Sequence, residues 1–202
     1  MEAGHKPLKA STLEVGAGFH QPASFSPRPV TADSPAIDVM TDLRLVPAAT
    51  IDPETHIDVA NQAMIARGVR SLLVVGRDGC VSGVVTARDL LGERPMQVVH
   101  KRRVRHEEVK VADVMTPRQD IEVLDMTEVL RARVGAVVET LRRSGRQHAL
   151  VVDRDVVAGR QMVRGIFSAS QVARQLGIPL HTTEVARTFA EIEAVIAEYA
   201  GV

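Results

Sequence analysis

The sequence predicts an α/β (α+β) protein made of two copies of one unit related by a pseudo-twofold axis. Each copy is a small, mostly antiparallel sheet flanked by two helices, and a further amphipathic helix follows at the C-terminal end. Three observations predict this. Asp38-Val39-Met40-Thr41 returns as Asp113-Val114-Met115-Thr116, 75 positions later, and internal repetition marks units that bury their apolar faces against one another. Behind each copy the apolar residues take helical spacing, Ile57, Ala60 and Met64 in the first and Val134, Val137, Val138 and Leu141 in the second. Behind each helix stand two short apolar runs separated by a turn, 72–75 and 81–85, then 149–152 and 163–167.

Residues 1–34 carry Gly, Pro, Ser and His without a sustained period, so this segment is expected to be disordered and to stay outside the core. The first repeat is assigned to 35–95, a linker to 96–109, the second repeat to 110–180 and the terminal helix to 181–202. In the first repeat a short strand is expected at 47–51. Asp52-Pro53-Glu54-Thr55 then offers capping side chains and a first-turn proline, which predicts that a helix begins there. Gly68 and Gly145 stop the two long helices. Gly76-Arg77-Asp78-Gly79 and Asp153-Arg154-Asp155 turn the chain between strands, and second helices are expected at 87–91 and 169–176. Val74 maps to Val151 at an offset of 77 but Gly83 maps to Gly165 at 82, so the second hairpin is longer, an inexpensive change at a loop tip. Repeats of roughly 55 to 65 residues are marginal alone and are expected to pack together.

Val185, Phe189, Ile192, Ile196 and Tyr199 form one stripe of the terminal helix, with Thr182 and Thr183 as candidate caps. The stripe either folds back on its own domain or completes a dimer interface.

Composition excludes several function classes. Twenty-five Lys and Arg balance twenty-five Asp and Glu, so no global field draws the protein to nucleic acid or to an anionic membrane. Aromatic residues are 2% of the 202, with no Trp, so base-stacking platforms are absent. The lone Cys80 excludes an internal disulfide and a multi-cysteine zinc site, and its turn-to-strand position reads as structural filler. No apolar run approaches the roughly 18 residues of a membrane helix, and 1–10 lacks a signal-peptide core; a cytoplasmic location is the default expectation.

The chemistry concentrates at Gly83-Val84-Val85-Thr86-Ala87-Arg88-Asp89. A buried strand there delivers a hydroxyl, a basic residue and a carboxylate to a strand-to-helix turn. Free helix amides suit phosphate, and a carboxylate can accept both hydroxyls of a ribose. The alternative is that Thr86 or Asp89 merely caps the helix.

This string resembles the glycine, apolar pair, Ser or Thr, two residues, Asp signature of cystathionine-β-synthase-type (CBS) domains, and the two Asp-Val-Met-Thr strings are similar to that family's repeat openings. The resemblance covers about residues 36–180 and implies a CBS pair, a Bateman module, that binds AMP, ADP, ATP or a related adenosyl ligand between its sheets as a sensor. It also implies a homodimer, no required cofactor and no catalysis. By the same resemblance Asp89 holds the ribose, Thr86 meets ribose or phosphate with Arg88 beside it, and Ile121 and Val123 of the other repeat's opening strand lie against adenine. A basic residue before each middle strand, Arg70 and His148 with Arg146 nearby, meets phosphate, although for His148 a hydrogen-bonded place at a strand entrance is an equal alternative. The second copy, Gly165-Ile166-Phe167-Ser168-Ala169-Ser170-Gln171, departs from the signature by placing Gln171 where Asp89 stands. A weaker second site is therefore expected around Arg70, Ser168, Ser170 and Gln171, because a neutral amide lacks the charge that strengthens such a bond. The middle strands carry Leu73 and Leu150 where the family often has proline.

The run His100-Lys101-Arg102-Arg103-Val104-Arg105-His106 precedes Glu107-Glu108. It reads as a solvated, self-paired surface that can raise the potential near bound phosphates. His100 and His106 lack a third ligand, so no metal site is assigned. The leading expectation is a regulatory adenine-nucleotide module acting on an unknown effector protein. A ligand-free scaffold of the same fold is the alternative, and a small enzyme is disfavoured because no P-loop, nucleophile elbow or paired metal ligands occur.

Overall fold

The computed structural model describes residues 30–155 and 159–177. The terminal helix expected at 181–202, its stripe from Val185 to Tyr199 and residues 1–29 lie outside them. In chain order the described strands are β1 (Thr41–Asp42), β2 (Thr50–Ile51), β3 (Ser71–Val75), β4 (Val81–Thr86), β5 (Thr116–Pro117), β6 (Val123–Asp125), β7 (His148–Arg154) and β8 (Gln161–Ser168). The described α-helices are α1 (Ile57–Arg67), α2 (Ala87–Leu91), α3 (Arg94–Arg102), α4 (Val111–Val114), α5 (Met126–Val129), α6 (Val134–Ser144) and α7 (Ala169–Gln175).

Two four-stranded sheets result, in the orders β2-β3-β4-β5 and β6-β7-β8-β1. Within each, the first pair is parallel and the others antiparallel. The two orders superimpose when β2, β3, β4 and β5 are matched to β6, β7, β8 and β1, which is the expected pseudo-twofold relation. It carries a feature that the repeat pattern does not announce: the opening segment of each repeat pairs with the other repeat's sheet. Thr41 and Asp42 pair with Ile166 and Gly165, while Thr116 and Pro117 pair with Val84 and Gly83.

The cores follow the same exchange. Ala36, Val39 and Met40 are buried among Val137, Leu141, Val151, Phe167 and Val172 of the second repeat. Val109, Val111 and Val114 are buried among Ile57, Met64, Leu72, Val74 and Val85 of the first. Gly83 and Gly165 show why the sheets need glycine where the openings cross. A Cβ on Gly83 would stand 2.7 Å from both Met115 Sδ and the Thr116 carbonyl oxygen, and one on Gly165 would run into the Met40 side chain.

The exchange also satisfies the helix starts. The Ile57 N–H donates to the Val109 carbonyl (3.1 Å) and the Val134 N–H to the Ser34 carbonyl (2.9 Å), so first-turn amides without intrahelical partners are met by backbone from the opposite repeat's lead-in. This corrects the expected start of the first helix. Residues 52–55 form a turn in which Asp52 Oδ1 accepts from the Glu54 N–H at 2.8 Å, and α1 begins at Ile57 behind His56, which makes no side-chain cap bond. At the other end, Gly68 and Gly145 adopt φ of 62° as left-handed caps, where glycine has no Cβ penalty.

Three further readings change. Residues 30–34, placed by the sequence in the unstructured leading segment, lie on α6, with the Gly135 N–H donating to the Ala32 carbonyl at 2.9 Å. Residues 94–102, split between repeat and linker, form α3; Pro95 is buried, and Val98 and Val99 pack on the first core. Cys80 is exposed at the β3–β4 turn, so it fills no core space.

Ala at the two crossing glycines separates backbone crowding from side-chain crowding. Gly83→Ala is expected to cost about 1–3 kcal/mol of unfolding free energy, and Gly165→Ala less, since a methionine side chain yields more readily than a carbonyl. Equal midpoints of denaturation for the two variants would contradict this account.

Candidate functional site

The exchanged openings leave a cleft of about 1200 Å³ where the two repeats meet. One wall is the β4–α2 turn with Thr86, Arg88 and Asp89, the second is α3 with Arg94, Lys101 and Arg102, and the third comes from the second repeat through Ile121, Arg146 and His148. A volume above the usual 300–1,000 Å³ of small-molecule sites admits a nucleotide-sized ligand with water.

Thr86 and Asp89 cap each other at the start of α2. The Asp89 N–H donates to Thr86 Oγ1 at 3.4 Å, and Asp89 Oδ2 accepts from the Thr86 N–H at 2.9 Å and from its hydroxyl at 2.6 Å. The capping alternative raised by the sequence is thus realised. It also fixes the carboxylate in the cleft wall, leaving Oδ1 turned to Arg94, whose Nη1 donates to it at 2.8 Å and to the Val114 carbonyl at 2.8 Å.

The same design recurs at the far end of α3. Asp113 accepts from the Lys110 N–H through Oδ2 at 2.9 Å and pairs with Arg102 through Oδ1. Both aspartate side chains are 12% exposed, so each serves as a helix cap and as a half-buried ion-pair partner. The two arginines tie α3 across the cleft.

His148 begins β7 and lines the cleft. Its Nδ1 is buried without a hydrogen-bond partner in the protein. Burial, reinforced by the positive charge of Arg70 and opposed by the negative charge of Asp89, lowers its pKa from 6.5 to about 4. The ring is neutral at pH 7 and offers one unsatisfied nitrogen, a cost that burial normally avoids.

Of the residues singled out by sequence, Thr86, Arg88, Asp89, Ile121 and His148 line this one cleft. Val123 is not in the lining, although its register partner Leu150 in β7 is; it is 39% exposed in β6. Arg70 stands outside the lining but its charge acts on His148, which relates it to this cleft. Ser168, Ser170 and Gln171 gather at the matching β8–α7 turn. Ser168 and Ser170 share a 3.1 Å hydrogen bond, and Gln171 Oε1 accepts from the Thr41 hydroxyl at 2.9 Å.

Arg94 and Asp113 were missed. The signal for Asp113 was present in the three-residue spacing from Lys110, the spacing of Thr86 to Asp89. The signal for Arg94 was Pro95, Val98 and Val99 at helical spacing, obscured by the neighbouring basic run. The expected pairing of that run with its acids holds for Arg105 with Glu107 and Glu108, whereas Arg102 turns to Asp113.

Among the described residues no helix is long and apolar enough to cross a membrane, and no group of three or more His, Cys, Asp or Glu side chains is placed to hold a metal ion.

Because the folded-state pKa of His148 lies below its ordinary 6.5, the unfolded chain takes up its proton first as pH falls. The stability held at neutral pH is therefore complete above pH 6.5 and is lost progressively from 6.5 towards about 4. In NMR the His148 ring is expected to titrate near 4, and His148→Gln to flatten the pH dependence of stability across that window. A ring that titrates near 6.5 would refute the burial argument.

The CBS domain family model matches residues 36–95. An inosine-5'-monophosphate dehydrogenase of Thermoplasma acidophilum is 32% identical over 108 residues, 54% of this chain and 21% of that enzyme, so the chain spans about a fifth of the curated relative it matches. Three solved structures share the fold. An uncharacterized conserved protein from Pyrococcus horikoshii has a TM-score of 0.53 at 21% identity, over 76% of this chain and 100% of that one. A CBS-domain containing protein from Agrobacterium tumefaciens gives 0.51 at 20%, over 72% and 94%. CBSX2 of Arabidopsis thaliana, solved in complex with AMP, gives 0.50 at 23%, over 70% and 94%. A CBS domain is thus matched over the first repeat, and the second repeat reproduces its architecture.

Proposed function

We propose that this protein is a regulatory module that binds an adenine nucleotide in the cleft around Asp89, and that it carries no catalytic activity of its own. The observation that carries the reading is the convergence, in one cleft, of a buried carboxylate, three basic side chains free of the two α3 ion pairs (Arg88, Lys101 and Arg146) and the unsatisfied His148 Nδ1. The carboxylate suits a ribose diol, the basic groups suit phosphate, and the apolar edge at Ile121 suits a base. CBSX2, which has this fold, was solved with AMP, and that ligand chemistry supports the assignment.

A ligand held between repeats changes their arrangement only through its different affinity for the arrangements available; that difference is the signal passed to an effector protein. A second, weaker site is assigned to Ser168, Ser170 and Gln171 with Arg70, where Thr41 already occupies the Gln171 amide oxygen. A homodimer fits the exposed Val59 and Ile65 on the outer side of α1.

One observation favours the alternative of a ligand-free scaffold: both Asp89 oxygens already have protein partners. Calorimetric titration with AMP, ADP and ATP separates the two. At least one nucleotide is expected to bind, and Asp89→Asn to weaken it about tenfold or more, the worth of a charge-assisted bond. Absence of binding by all three leaves the scaffold, and unchanged affinity in the variant overturns the assignment of the site to Asp89.

A further inference from the structure

We propose that the Arg94–Asp89 ion pair is a latch that makes the cleft selective for phosphorylated nucleotides over uncharged or cationic adenosyl ligands. The inference rests on the nucleotide-binding reading above and specifies which ligands that site accepts.

The geometry sets the exchange. Asp89 has two acceptor oxygens; Oδ2 is held by Thr86 and Oδ1 by Arg94. A ribose diol bound at Asp89 must take Oδ1, because Oδ2 anchors the start of α2. Oδ1 keeps one free lone pair beside Arg94 and can take one hydroxyl; it takes both hydroxyls of the diol only if the guanidinium yields it.

A charge left without its partner in a half-buried wall is costly. Arg94, whose side chain is 48% exposed at the cleft edge, is partly compensated by water and is fully matched by a new anion. A 5'-phosphate attached to the same ribose supplies one within the same cleft. The guanidinium has five N–H donors, so it can keep the Val114 carbonyl while turning others to phosphate. The ligand's diol and phosphate thus replace, one for one, the two halves of the ion pair.

Adenosine and 5'-methylthioadenosine bring the diol but no anion, and an S-adenosyl sulfonium brings a positive charge; each leaves Arg94 unmatched. The remaining lining groups do not offset this. Arg88, Lys101 and Arg146 add positive charge beside Arg94, and among the described residues Glu93, Asp120 and Glu122 of the same walls form no ion pair with Arg94, whose carboxylate partner is Asp89.

The test measures AMP, ATP, adenosine and 5'-methylthioadenosine by calorimetry on wild type and Arg94→Gln. Wild type is expected to bind AMP or ATP at least about tenfold more tightly than adenosine. In Arg94→Gln the phosphorylated ligands weaken while adenosine binds as well or better, since Oδ1 has been freed, and the preference collapses. Raising the salt concentration is expected to weaken AMP binding more in wild type than in the variant.

A preference that persists in Arg94→Gln, or equal weakening of AMP and adenosine there, overturns the latch and leaves the nucleotide reading intact. Wild type that binds adenosine as tightly as AMP does the same. Failure of every adenosyl ligand to bind wild type overturns both. If Arg94→Gln is too unstable to assay, Arg94→Lys, which keeps the charge but not the fork, is expected to retain the phosphate preference; its loss there counts against the proposal.

Discussion

Each opening segment lies across the sheet of the other repeat, and this reciprocal placement is the constraint on which the other features rest. Met115 and Thr116 sit where Gly83 leaves room, Met40 where Gly165 does. The same segments feed Val109 and Ser34 carbonyls to the first turns of α1 and α6 and supply buried residues to both cores. Separating the repeats would strip each sheet of an edge strand, each long helix of a first-turn partner and each core of several aliphatic side chains. The pair therefore behaves as one cooperative body, and a cleft between its halves is bounded by residues distant in sequence.

The first opening is fastened by more than packing. Arg164 of β8, 12% exposed, pairs with Asp42 and stands 3.4 Å from Asp153, while Arg44 reaches Asp153 at 2.9 Å. Such a half-buried cluster adds little net stability but makes any other register leave charges unpaired. At the second opening the corresponding task falls to α3, which is tied down by Arg94 and Arg102 to the capping aspartates Asp89 and Asp113. Fastening and ligand chemistry thus share the same groups at one crossing and are separate at the other, which is a physical basis for unequal sites.

That inequality is visible at the two matching turns. In the first repeat the carboxylate caps its helix, holds Arg94 and faces a wide cleft. In the second, Gln171 is neutral and turns its oxygen to Thr41, so the turn is stitched to the crossing segment with no ionic group. The ligand exchange proposed above is possible only at the first turn, since the second offers no charged partner to exchange.

The sequence by itself determined the repeated unit, its strand and helix order, the glycine stops and the cluster of Thr86 and Asp89. All of these depend on local periodicity or on groups a few residues apart. Only the tertiary structure decided which sheet each opening joins, because pairing partners from 32 to 125 positions apart leave no local trace when both copies carry the same motif. It decided likewise that α3 is a wall of the cleft and no mere linker, since two valines and a proline among four basic residues gain meaning only against the core they cover. The placement of His148 within the cleft, with one nitrogen unsatisfied, follows from burial that no single strand's pattern contains.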